Sequence, residues 1–425
     1  MNVLHLSWSD VQGGAAKAAY RLHQALPTIG VNSQMLVEVK GSQAPSIFDG
    51  GSIINRIAGR ISSHWDQFYV RRYKSRKPLL FSPAKAVTRT ARRAYKISKD
   101  IYHLHWITNG FLKVEDLRTL EKPLVWTLHD LWGFTGGCHY GEGCSRFETE
   151  CGYCPVLGSR VHNDLSRETW ERKCSAWRDI DLTLIAPSRW MARMAASSAL
   201  FRSRRIEVIP YCLDTQIFCP TERAVARRRL SLPHDKHVVL FSALTGDGDK
   251  RKGLHLLQSA FEILAKDGNA GSICLAVAGM NGEKRDASFS FDVHYLGILK
   301  REQEMALACA AADVFVAPSM EDNLPNTVLE AMSCGTSCVA FDIGGMGDMI
   351  DHRMNGYLAK PFDVDDLAMG IRWVLADENR RRSLSDAARK KVVEEYGFEP
   401  IARRHMRLYE DLTLTTKRSK GTSFC

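Results

Sequence analysis

Residues 313–341 restrict the chain to few folds. Residues 313–317 (DVFVA) form a short apolar run carrying Val and Phe, the pattern of a strand buried on both faces of a parallel sheet. Pro318 and Ser319 end the run, Asn326 or Thr327 is placed to cap a helix over 328–334, Gly335 stops that helix, and 337–341 reads as a second buried strand. In sheets built from such strand-helix-strand units, ligands lie beyond the carboxyl ends of the strands. Unpaired amides at the helix start favour an anion such as a diphosphate. Glu330 follows within a turn of that start. Phosphate would repel its carboxylate, so it suits neutral hydroxyls such as those of a ribose. Asp322 lies eight residues earlier, on the preceding acidic loop.

The same alternation recurs along the chain. An apolar strand over 238–242 is followed by Lys252-Gly253 and a helical run over 254–265. A lysine there offers a compact ammonium to phosphate charge; read in isolation, Lys250, Arg251 and Lys252 make an ordinary solvated turn equally well. The chain opens with a strand over 2–6, then Gly13-Gly14, then a helical run over 15–26. This first turn lacks the full G-x-G-x-x-G fingerprint, which argues against a conventional NAD enzyme. Two adjacent glycines let a backbone approach a ligand closely. Residues 100–106 (DIYHLHW) read as a strand with His103 and His105 on one face, and the strand over 125–128 ends in His129-Asp130. A histidine at a strand's carboxyl end can meet a sugar hydroxyl or a developing charge. Repeated strand-helix alternation over 425 residues points to α/β architecture with two or three domains.

The 317–342 segment (APSMEDNLPNTVLEAMSCGTSCVAFD) resembles the signature of the retaining glycosyltransferases of family 4. The resemblance implies the GT-B fold: two facing Rossmann-like α/β domains, a deep interdomain cleft, and a C-terminal helix returning to the first domain. The implied boundaries are 1–210, 211–395 and 396–425. The family has two acids flanking a seven-residue gap, the first normally Glu; here Asp322 holds that place and Glu321 precedes it, so either is a candidate for the donor sugar's hydroxyls. Glu330 is implied to bind the donor ribose, and amides at Asn326, Thr327 and Val328 the phosphates. Lys252 is implied to meet the donor diphosphate, with Arg251 standing in for an arginine the family carries several residues earlier. Gly13 and Gly14 fall where the family has its cleft loop, and His129 where it has a histidine. Residues 186–188 (APS), 208–218 (VIPYCLDTQIF), with Tyr211 and Cys212 in place of Asn and Gly, and 341–345 and 355–357 keep the family's order.

Two segments stand apart. Residues 56–99 hold thirteen Lys or Arg and one acid, Asp66, interleaved with aromatic residues, within a chain of net charge +10. Such a surface suits an anionic membrane leaflet; a solvated helical insertion and a nucleic-acid footprint are the alternatives, and no nucleic acid is expected. The loop over 136–155 gathers Cys138, Cys144, Cys151 and Cys154, readable as a structural zinc site, as free thiols or as disulfides. Neither a leader peptide nor an apolar run near the roughly 18 residues of a membrane span is read. The expectation is a cytoplasmic enzyme, peripheral on the inner face of the cell membrane. It would move a sugar from a nucleoside diphosphate (UDP- or GDP-linked) to a lipid-linked saccharide in cell-surface polysaccharide synthesis, with no catalytic cofactor. A nucleotide-sugar epimerase on the same fold, or a non-catalytic basic module binding membrane or nucleic acid, are the other readings.

Overall fold

The apolar runs of the first half of the chain form a seven-stranded sheet: β1 Asn2–Ser9, β2 Asn32–Val39, β3 Ile47–Phe48, β4 Ile101–Leu104, β5 Leu124–Thr127, β6 Leu182–Ala186 and β7 Ile206–Val208. Its order is β3-β2-β1-β4-β5-β6-β7, and every pairing is parallel. The second half forms a six-stranded parallel sheet from β8 His237–Ser242, β9 Ile273–Ala278, β10 Asp292–Gly297, β11 Val314–Ala317, β12 Cys338–Phe341 and β13 Gly356–Ala359. Its order is β10-β9-β8-β11-β12-β13. The structure is a computed structural model that describes residues 1–49, 62, 64–86, 88–243, 249–269, 271–280 and 291–421. One unit comprises Met1–Pro210 with Ile401–Cys425, the other Tyr211–Pro400.

Both sheets are Rossmann-like α/β layers, and in each the strand order reverses beside the first strand. These switch points lie between β1 and β4 and between β8 and β11. Four helices bear on the sites: α1 Gly14–Ala25, α2 Leu254–Leu264, α3 Asn326–Ser333 and α4 Phe398–Gly421. Each unit has its own core. Trp126, Trp132, Trp177 and Phe201 pack within the first, and Val239, Phe261, Val316, Phe341 and Tyr357 within the second.

Several boundaries differ from the sequence reading for identifiable reasons. β1 runs three residues past Leu6 because its pairing with β2 continues to Ser9 opposite Val39. β11 starts at Val314 because Asp313 is a buried latch, accepting the Val238 amide at 2.8 Å and pairing with Arg227 and Arg223. Burial alone would raise the Asp313 carboxyl, but His237, Arg227 and Arg223 hold it at about 2. The expected cap on the helix after Pro325 is absent. α3 already begins at Asn326, Pro325 takes the N-cap position, and no side chain caps it. Glu330 consequently lies just past the first turn, not within it.

Candidate functional site

In the second unit, two loops leave the carboxyl ends of β8 and β11, the neighbouring strands at which the order reverses. The first carries Lys252 on a short turn over Lys250–Lys252 that closes at Gly253 with φ 73°. The second carries Glu321 and Asp322. Backbone and side chain stitch the loops together: the Met320 amide donates to the Arg251 carbonyl at 2.7 Å, and Arg251 Nη1 donates to the Glu321 carbonyl at 2.9 Å. A Cβ on Gly253 would lie 1.8 Å from the Pro318 carbonyl oxygen, and one on Gly344 1.8 Å from that of Asp322. Only glycine at 253 lets these two loops meet, and only glycine at 344 lets the turn after β12 approach the second of them.

The stitched loops bring Lys252 Nζ to 2.6 Å from Asp322 Oδ2. Burial by itself would raise the Asp322 carboxyl; Lys252 and Arg251 beside it hold it below its ordinary value. Of the two candidate acids, Asp322 therefore partners the lysine, while Glu321 lends its carbonyl to Arg251. Arg251 is less available than the sequence suggests, because its other arm binds Asp249 at 2.7 Å and its side chain is 13% exposed. The expected amide trio at the start of α3 is also reduced, since the Val328 amide donates to the Pro325 carbonyl at 3.1 Å. Asn326 and Thr327 open the helix. Glu330 is 2% exposed on α3.

In the first unit, Gly13 precedes α1 with φ 89°, and a Cβ there would meet nothing within 4 Å. The requirement for glycine at 13 is thus conformational, and the space above it is open. His129 follows β5. With Trp106, Thr108, Asp130, Trp132 and Gly133 it lines a pocket at the carboxyl ends of β4 and β5. His129 is one of a layer of imidazoles. His5 pairs in register with His103 across β1 and β4, and the His103 and His105 rings stack at 4.3 Å. His105 lies 3.1 Å from His129, His103 2.7 Å from the Tyr409 hydroxyl of α4, and His23 of α1 2.7 Å from Ser33 Oγ. Burial keeps these rings neutral, pushing His23, His129 and His405 down to about 4.

Beside His129 stands an arrangement that spacing along the chain did not disclose. Asp130 Oδ2 lies 2.7 Å from His139 Nδ1, whose Nε2 lies 2.9 Å from Ser82 Oγ. Serine, histidine and carboxylate in that order are the parts of a nucleophilic triad. Ser82 is 1% exposed and His139 fully buried, however. The remaining capacity of Asp130 goes to Trp106 Nε1 at 3.0 Å and the Trp132 amide at 2.9 Å. The triad is a clamp that holds the loop after β5 in place.

Cys138, Cys144, Cys151 and Cys154 are free thiols in the structure. Burial raises the thiols of Cys138, Cys151 and Cys154, that of Cys151 to about 12. Cys151 Sγ accepts the Gly136 amide at 3.1 Å. Among the described residues, the one group of three or more ligating side chains close enough to share an ion is His5, His103 and His105, with donor atoms within 4.8 Å of one another. The four cysteines, for which a structural zinc site was one of three readings, do not form such a group. Just ahead of that loop, Lys173 is fully buried, which pushes it down to about 7, and its amino group donates to the Trp132 and Thr135 carbonyls and lies 3.7 Å from the Trp132 ring centre.

In the basic segment, Arg56 and Arg60 lie outside the described residues. Its single acid is not on the surface. Asp66 is fully buried and accepts the amides of Ala84, Lys85 and Ala86. Trp65, Phe68 and Tyr95 are exposed, and the Arg72 guanidinium lies 5.0 Å from the Phe68 ring centre. Among the described residues no helix is long and apolar enough to cross a membrane.

Residues 12–217 match the family model described as Glycosyltransferase Family 4, and residues 222–391 that described as Glycosyl transferases group 1. An uncharacterized glycosyltransferase of Methanocaldococcus jannaschii is 28% identical over 193 residues, 44% of this chain and 48% of that protein. The N,N'-diacetylbacillosaminyl-diphospho-undecaprenol alpha-1,3-N-acetylgalactosaminyltransferase of Campylobacter jejuni is 35% identical over 118 residues, 28% of this chain and 30% of that protein. The matches thus span about half the length of such curated relatives, or less. Sucrose-phosphate synthase from Thermosynechococcus elongatus shares the fold with a TM-score of 0.68 at 18% identity, over 97% of this chain and 99% of that one. Anabaena HepE, solved in complex with UDP, does so with a TM-score of 0.63 at 15% identity, over 97% and 100%. The two family models take in every strand but β1, and the chain belongs to the glycosyltransferases, family 4 in its first part and group 1 in its second.

Proposed function

We propose that the protein transfers a glycosyl group from a nucleoside diphosphate sugar to a hydroxyl acceptor, with retention at the anomeric carbon. The observation that carries this reading is the Lys252–Asp322 pair, set at the strand-order reversal of a group 1 unit with Glu330 on the following helix. Lys252 has three N–H donors and gives one to Asp322, so its ammonium can also serve a diphosphate. Its positive charge and the start of α3 stabilise the departing diphosphate, so the reading calls for no catalytic metal. Glu330 accepts from the ribose hydroxyls, and Asp322 is the acid that meets the donor sugar. No side chain of the site is assigned as a covalent nucleophile. The acceptor oxygen bonds to the anomeric carbon on the face from which the diphosphate leaves, and the acceptor's proton passes to a phosphate oxygen. The UDP complex of the HepE fold relative supports a nucleoside diphosphate donor, and the named acceptor of the Campylobacter relative supports a lipid-linked saccharide.

The exposed Trp65, Phe68 and Tyr95, set among lysines and arginines whose only intervening acid is buried, are the surface by which the protein reaches an anionic leaflet. Each cation near such a surface contributes about 1 kcal/mol. The chemistry is tested by supplying UDP- and GDP-sugars with lipid-linked saccharides and determining the product's anomeric configuration. Retention supports the reading. Inversion, or donor turnover that needs no acceptor, contradicts it. Membrane contact is tested by pelleting with vesicles containing phosphatidylserine; binding that weakens with salt and in Trp65→Ala/Phe68→Ala is expected, and its absence at low salt removes this part of the reading.

A further inference from the structure

Strand register gathers three histidines on one face of the first sheet. His5 of β1 stands opposite His103 of β4, and the two-residue alternation of a strand puts His105 on the same face as His103. The opposite face of both strands is apolar, with Leu4, Leu6, Tyr102 and Leu104 in the core of the first unit. The histidine face is covered by α4, whose His405 and Tyr409 rings lie 5.7 and 5.9 Å from the His103 ring. All three histidines are buried. His5 Nδ1 lies 2.9 Å from His105 Nε2, so these two nitrogens share one proton. The His103 nitrogens meet the Tyr409 hydroxyl at 2.7 Å and Thr127 Oγ1 at 2.8 Å.

We propose that His5, His103 and His105 bind one zinc ion, a structural fastening between β1 and β4 under the helix α4. Each offers a donor atom within 4.8 Å of those of the other two. Neutral imidazole is the ligating form, and burial holds all three rings neutral. Imidazoles suit zinc, copper, nickel or iron, whereas calcium and magnesium take oxygen ligands; zinc accepts a three-histidine set. Ligand nitrogens on tetrahedral zinc stand about 3.3 Å apart. The proton between His5 and His105 moves to the far nitrogen of its own ring, and zinc takes its place with little movement of either. A turn of the His103 ring brings in the third nitrogen and gives up one of its two hydroxyl contacts. The other contact orients the ring, as an outer hydrogen bond does for most metal-bound imidazoles. His105 has such a partner in His129, 3.1 Å from its Nδ1. The hydroxyl released by His103 is the oxygen at hand for the fourth position. This site is separate from the transfer chemistry proposed above and does not rest on it.

The test is the metal content and metal uptake of the full chain, purified without a polyhistidine tag or a chelator. Elemental analysis is expected to find about one equivalent of zinc per chain. Stripped of it by a chelator, the folded chain is expected to take up cobalt(II) with weak visible bands and without the intense near-ultraviolet band of a thiolate ligand. His103→Leu is expected to lose the ion, and Cys151→Ser to keep it. Should no histidine variant fold, the wild-type chain decides alone: folded protein that carries less than about a tenth of an equivalent and takes up neither ion overturns the proposal. So does a thiolate band, or metal that stays in His103→Leu and is lost in Cys151→Ser. Because neither nucleotide nor sugar is added, the result is independent of whether transfer is observed.

Discussion

At the scale of single residues, the donor-site argument turns on one ion pair with unequal partners. Lys252 is 26% exposed and Asp322 13%, so the lysine can turn to an arriving phosphate while the aspartate stays fixed. A hydrogen bond to a charged group contributes about 1.5–3 kcal/mol. Lys252→Ala is accordingly expected to weaken binding of the matching nucleoside diphosphate by about 10- to 100-fold, read by calorimetry; unchanged affinity would remove Lys252 from the phosphate site. Ser82 makes the opposite case. Its burial beside His139 predicts that fluorophosphonates leave it unlabelled and that Ser82→Ala lowers stability by about 1–2 kcal/mol without lowering kcat. Labelling at Ser82 would show a working nucleophile. The positions of Lys252, Asp322 and Glu330 were legible in the sequence because each lies on a loop or helix that directly follows a readable strand; the roles proposed for them came from the family resemblance. The rows His5–His105–His129 and Ser82–His139–Asp130 were not, because strand register and long loops, rather than local spacing, bring those residues together.

Among the elements, the loops that follow the strands depend on glycine for two different reasons, and magnitude separates them. At Gly253 and Gly344 an added Cβ would lie 1.8 Å from a carbonyl oxygen, besides adopting positive φ. At Gly13, with φ 89° and ψ 168°, it would meet nothing and incur only the strain of a backbone region used almost exclusively by glycine, about 1–3 kcal/mol. Gly253→Ala and Gly344→Ala are expected to be much less stable than Gly13→Ala, by more than about 2 kcal/mol in urea denaturation, and to lose nucleotide binding with it. Equal stabilities would mean that the loops do not meet as described. The sequence disclosed the strands well because buried parallel strands read as unbroken apolar runs. It misplaced their ends, and the start of α3, wherever a side chain such as Asp313 or a prolyl N-cap replaced the expected boundary chemistry. The Cys-rich loop illustrates the same limit: its spacing allowed ligands, free thiols or disulfides, and did not disclose that Lys173, some twenty residues downstream of Cys151, binds the carbonyls just ahead of the loop.

For the molecule as a whole, the buried histidines make stability depend on pH in a definite direction. His23 and His405 titrate near 4 when folded, because burial disfavours their charge, and near 6.5 when unfolded. The unfolded chain therefore takes up protons first. Stability is complete above about pH 6.5 and falls as pH drops toward about 4, by about 1.4 kcal/mol per pH unit for each histidine. These two alone amount to about 4 kcal/mol at pH 5, and His5, His103 and His105 act in the same direction. A melting temperature that stays level from pH 7 to pH 5 would contradict the buried neutral layer. At this scale the sequence was most informative, since strand-helix alternation implies α/β domains and the family resemblance two Rossmann-like ones. The burial of Asp66 was not legible, because its amide partners are ordered by the fold around them.

The measurement that bears most directly on the central claim is thermal melting of the purified chain with UDP, GDP, ADP and CMP, each far above its dissociation constant, in wild type and in Glu330→Gln. Ligand at about 100 times that constant adds about 2.7 kcal/mol, enough for a shift of several degrees. The account predicts stabilisation by one nucleoside diphosphate that is largely lost in Glu330→Gln. No shift with any nucleotide in folded wild-type protein, or an equal shift in the variant, would contradict it.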